Sequence, residues 1–177
     1  MQSDMQDPTP AATKVILLLS LLLTAAADAM VLGRDTLAPH KAASFLAFFT
    51  LLFLVRVLGQ VLVVARQPSW LPPMEGENWN LVPYSLLLPA QLAILVFMAF
   101  VVVGVSAELP PFGARRASVG QVLMAISAVY AGVMAVRYVV RMVRRPEQRW
   151  FGGSIPVVFH MVLASFLFTW GRFHAGH

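Results

Sequence analysis

Five long apolar runs divide the chain, and the stretches between them are short and rich in charge, proline or glycine. The runs cover about 14–33, 42–66, 84–106, 118–144 and 154–173. At about 1.5 Å of rise per residue, roughly twenty helical residues cross the ~30 Å hydrocarbon of a bilayer. Each run is long enough. The pattern predicts an all-α, polytopic integral membrane bundle of five transmembrane helices in a single domain spanning 1–177. The count is four if the first run is a cleaved signal.

The connections fit this reading. The end of the fourth run and the stretch before the fifth carry Arg141, Arg144, Arg145 and Arg149, broken by Pro146 and the pair Gly152-Gly153. Proline lacks an amide proton and glycine costs helical entropy, so a basic hairpin is expected there. Positions 34–41 read as a turn, with Pro39 suited to the first position of the next helix. Positions 67–83 form the longest loop. Its early prolines forbid a regular helix, and Trp70 and Trp79, with Trp150 in the basic hairpin, suit the headgroup interface. Pro89 lies inside the third run and should kink it or mark its true start. Ser118 reads as the N-cap of the fourth helix. Residues 1–13 read as a flexible tail, and residues 174–177 as a C-terminal tail.

The first run also has features of a secretory signal, with small residues near Ala27 and Ala29. However, the stretch before it carries Asp4 and Asp7 against Lys14 alone, whereas a signal needs positive charge. An uncleaved first helix is the reading adopted.

Composition narrows the choice further. Of the 177 residues, 59% are hydrophobic and 12% charged, about half the charge of an ordinary soluble domain. The net charge of +5 is carried by arginines at helix ends rather than along a solvent face. That distribution suits anionic lipid headgroups and membrane topology, and it argues against nucleic acid as a partner. Partner membrane subunits also fit. With no cysteine, disulfides, thiol chemistry and Cys-ligated metals are excluded.

Five crossings place the termini on opposite faces. With the N-terminus cytoplasmic, the inside carries Lys14, Arg66, Arg141, Arg144, Arg145 and Arg149, and the outside carries Arg34, Lys41, Arg115, Arg116 and Arg172. Six against five is a narrow margin. The dense basic hairpin favours the N-terminus inside a cell membrane.

Charged groups in the hydrocarbon cost about 2.5–3.5 kcal/mol each, so each needs a partner or a purpose. Arg56, ten residues before Arg66, lies about 15 Å deep at helical rise, with Gln60 one turn on. Tyr130, Arg137, Arg141 and Arg144 share one stripe of the fourth helix. His160 lies about 10 Å below the same surface. Glu75 and Glu77 belong to the loop above. The candidate ligand-binding set is therefore Arg56, Gln60, Tyr130, Arg137, Arg141, His160, Glu75 and Glu77. Guanidinium forks suit phosphate or carboxylate, and His160 is the one side chain of the set that titrates near neutrality. The plainer reading is that the arginines snorkel to the headgroups and the histidine packs.

At the other end stand Asp28, Asp35, His40, Glu108, Arg172, His174 and His177. Imidazole with carboxylate invites a metal, and His40, His174 and His177 are the candidates. The spacing is loose, however, and an Asp28–Arg172 ion pair is the simpler expectation. No cofactor is expected, since a haem held between helices needs facing histidines and only His160 is expected to be buried. Nucleotide-binding and hydrolase motifs are lacking.

The leading functional reading is a non-catalytic accessory subunit or lipid-binding scaffold whose Arg/His cluster holds an anionic ligand. A membrane-embedded enzyme acting on a lipid or isoprenoid phosphate, with His160 as acid and base, is the second. A small transporter is the third. Helix contacts are expected at Gly59, Gly104, Gly120 and Gly132.

Overall fold

The computed structural model describes residues 11–34, 36–66, 84–144 and 154–176, with backbone alone at positions 63, 64, 84, 85, 154 and 155. It holds five helices and, among the described residues, no strand: α1 Ala11–Leu32, α2 Pro39–Arg66, α3 Tyr84–Ser106, α4 Ala117–Arg144 and α5 Ser154–Ala175. All five contain a stretch long and apolar enough to cross a membrane. The protein is a helical membrane bundle.

The last helix sits at its centre. In α5, 56% of the span is buried inside the protein, against 11–28% in the other four. It packs on α1, α2 and α4, while α3 packs on α2. Leu46, Phe49 and Val57 of α2 meet Val162, Phe166 and Phe173 of α5 in the core. Leu22 of α1, Phe100 of α3 and Val129 and Val143 of α4 are exposed. Those outer faces are what lipid solvates, so burial of apolar surface does not by itself order the helices in a bilayer.

Close approach and polar contacts supply that order. Gly120 on α4 is buried, and a Cβ there would lie 2.6 Å from the Ala175 nitrogen and 2.7 Å from the Gly171 oxygen. Gly171 in turn approaches Met124 and Gly120. Gly104 is filled by the Phe112 side chain. Gly59 and Gly132, by contrast, have open space at their Cβ positions and make no helix contact of this kind. Both point away from the neighbouring helices, so their small size serves no crossing among the described residues.

Helix ends follow local chemistry. The Ala38 carbonyl accepts from the Ala42 amide at 2.9 Å, which puts Pro39 at the first helical position, where its missing N–H costs nothing. The Arg116 carbonyl accepts from Gly120 at 3.0 Å, so Arg116 is the N-cap of α4 and Ser118 lies inside its first turn. At the end of α3, Leu109 N bonds Gly104 O at 2.8 Å and Glu108 N bonds Val105 O at 3.3 Å. This pattern requires the left-handed backbone that Glu108 adopts (φ 53°). Pro89 is accommodated within α3 rather than starting it.

Both tails are shorter than expected. Ala11 to Thr13 are helical, and Thr13 is buried. At the other end α5 runs to Ala175, so His174 is part of the bundle and 2% exposed. Its aromatic neighbours Trp170 and Phe173, with ring centroids 5.6 and 5.4 Å away, draw it inward.

Candidate functional site

The buried stripe of α2 is Leu46, Phe49, Phe53, Val57 and Gln60, one helical face. Its last member is an amide where an apolar side chain would continue the pattern. The Gln60 amide is only 2% exposed. In the orientation that satisfies both neighbours, its oxygen accepts from Arg56 Nη2 at 2.7 Å and Nη1 at 3.2 Å, and its nitrogen donates to Gln91 Oε1 at 2.6 Å. The Arg56 guanidinium also lies 5.5 Å from the Phe159 ring centroid. Its edge is steadied by an amide and its face by an aromatic quadrupole.

On the other side of α5, the Tyr130 hydroxyl and His160 Nδ1 are 2.5 Å apart. Ser127, one turn away on α4, donates to the Ala164 carbonyl at 2.7 Å. Phe159, over which the Arg56 guanidinium sits, is the residue before His160 on α5. A polar layer therefore runs from Gln91 on α3 through Gln60 and Arg56 on α2 to His160 on α5 and Tyr130 on α4. Tyr130 stands at the midpoint of α4, whereas His160 and Gln91 lie six and seven residues from the starts of α5 and α3, so the layer lies toward the basic end of the bundle.

The remaining candidates fall around this layer. Arg141 is half-buried on the face of α4 that meets α5, whereas Arg137 and Arg144 are exposed. The stripe thus splits, with Tyr130 and Arg141 inward and Arg137 and Arg144 outward. Glu75 and Glu77 lie outside the described residues, as do Trp70, Trp79 and Trp150.

At the opposite end, His40 is exposed, His174 is buried against aromatic rings, and His177 and Asp35 lie outside the described residues. Among the described residues no three metal-ligating side chains come together. The Asp28–Arg172 ion pair is not formed. Asp28 Oδ2 instead accepts from Ser165 Oγ at 2.7 Å, and Arg172 Nη2 donates to the Arg34 carbonyl at 2.5 Å. Arg172 lies two turns beyond Ser165, past the end of α1, where a free carbonyl is the nearer acceptor.

Two participants, Gln91 and Phe159, escape a reading of the sequence. Gln91 did carry a signal, as an amide inside an otherwise apolar run. Phe159 carried none, since one phenylalanine among twelve is not distinctive. Compared with known proteins, the chain matches no family, no curated protein and no solved structure.

Proposed function

We propose that this integral membrane protein is a non-catalytic accessory subunit or scaffold, whose basic end holds an anionic lipid headgroup. The observation that supports this most directly is the setting of Arg56. A guanidinium ten residues inside the end of α2, where an isolated charge in the hydrocarbon costs about 2.5–3.5 kcal/mol, is steadied by Gln60 and Phe159. A steadied guanidinium with Arg137 on the outer face of α4 suits a phosphate ester that enters from the bilayer.

Native mass spectrometry tests the reading. The wild-type protein should retain phosphatidylglycerol over phosphatidylcholine, and Arg56→Ala and Arg137→Ala should each lower that preference severalfold. Equal retention of both lipids by the folded wild type would refute it.

The short Tyr130–His160 contact favours a second reading, an enzyme that acts on a lipid or isoprenoid phosphate. A hydroxyl and an imidazole at hydrogen-bonding distance can share a proton. That reading requires turnover of such a phosphate, abolished by His160→Ala and strongly slowed by Tyr130→Phe. The scaffold reading requires binding without turnover.

A further inference from the structure

The opposite half of the bundle contains a group that the basic end does not explain. Asp28 is four residues from the end of α1, yet its partner Ser165 stands at the middle of α5. The two helices run parallel, and α1 is displaced toward the basic end. Asp28 is therefore deeper in the bundle than its place in α1 suggests.

Its carboxyl is incompletely satisfied. Oδ2 accepts the Ser165 hydroxyl, while Oδ1 is buried and makes no hydrogen bond. One turn along the same face of α5, Thr169 is fully buried, and its Oγ1 also has no partner. Arg172, the cation nearest in sequence logic, is turned to the Arg34 carbonyl, and the Arg34 Nε is itself buried without a partner. A charged carboxylate at such depth costs about 2.5–3.5 kcal/mol. A neutral hydrogen bond between membrane helices returns only about 0.6 kcal/mol on average, 1.7 at most. Ser165 alone does not offset the charge.

We propose that Asp28 is a monovalent-cation site at the α1–α5 interface, with a proton or a sodium ion on its carboxyl and the Ser165 and Thr169 hydroxyls as the accompanying oxygen donors. Both cations complete the same oxygen-rich, cysteine- and histidine-free donor set, and hard cations favour such oxygens. The site lies on the α1 side of α5, away from Tyr130 and Arg56, and does not depend on lipid binding at the basic end.

The test uses the whole chain in liposomes at neutral pH, in sodium chloride or choline chloride. Two signals are read: the infrared carbonyl band of a protonated carboxyl, and modification of Asp28 by a hydrophobic carbodiimide, which attacks only the protonated acid, located by mass spectrometry. A carboxylic-acid band with Asp28 modification in both salts, each lost in Asp28→Asn, establishes the proton. Modification that sodium suppresses severalfold and choline does not establishes sodium, and Ser165→Ala should weaken that protection. If Asp28→Asn fails to fold, the infrared band and the sodium arm on the wild type decide. An ionised, unmodified carboxyl in both salts overturns the proposal.

Discussion

The hydroxyl of Tyr130 and the imidazole of His160 meet at 2.5 Å between two helices that otherwise cross through glycine and serine. Removing the hydroxyl in Tyr130→Phe leaves the ring in place and takes away only the hydrogen bond. A loss of about 0.6–1.7 kcal/mol in bundle stability is expected, the range measured for such bonds within membranes. Reversible unfolding in mixed micelles would measure it, and a His160→Leu background should make the loss much smaller. An undiminished loss in that background would mean the hydroxyl bonds elsewhere. At this scale the sequence was partly informative. The positions of Arg56 and His160 along their own helices followed from counting, because a helix converts residue number into rise. The partner of each did not, since rotation about the helix axis and the identity of the facing helix come only from packing. Asp28 illustrates the difference: its distance from the end of α1 was countable, but the shift of α1 along α5 was not.

The helices themselves were the most legible feature, because an apolar run of the required length has few alternatives in a chain with this little charge. Their contacts were less so. Four glycines stood out as small residues in apolar runs, and composition alone could not rank Gly120 above Gly132, twelve residues away on the same helix. The surroundings of each Cβ position separate them. Gly120→Ala would drive a methyl group into backbone atoms of Gly171 and Ala175, which cannot swing aside. A loss of about 1–3 kcal/mol is expected, the usual cost of overpacking. Gly132→Ala meets open space and should be neutral or gain up to about 1 kcal/mol of helix propensity. The same unfolding assay compares the two variants. Equal effects would place the α4–α5 crossing elsewhere. Gly113, in the turn after α3, is a third case. A Cβ there would lie 2.2 Å from the Gly104 oxygen, so Gly113→Ala should loosen the Phe97, Phe112 and Trp170 cluster and dim or shift Trp170 fluorescence.

For the whole molecule, five crossings put the end of α2 and the end of α4 on one face and the two opposing turns on the other. Because the native chain has no cysteine, single introductions give a clean readout in sealed vesicles. Ala11→Cys and Ala65→Cys should react with an impermeant maleimide from one side, and Thr36→Cys and Ser118→Cys from the other. Which side faces outward depends on the charge balance, and six basic residues against five is a weak bias. Lys41 and Arg116 are exposed and belong to the lesser set. Arg115 is different in kind, since it clamps the Gly176 and Leu37 carbonyls at 2.8 and 3.1 Å and rests on Phe173, and so must be left alone. Replacing Lys41 and Arg116 by alanine changes the balance to six against three without touching a clamp. The fraction of molecules with the N-terminus in the cytoplasm should rise, read as protection of Ala11→Cys from external reagent in intact cells. A fraction that does not move would mean that the basic ends are retained for what they bind rather than for how they orient the chain.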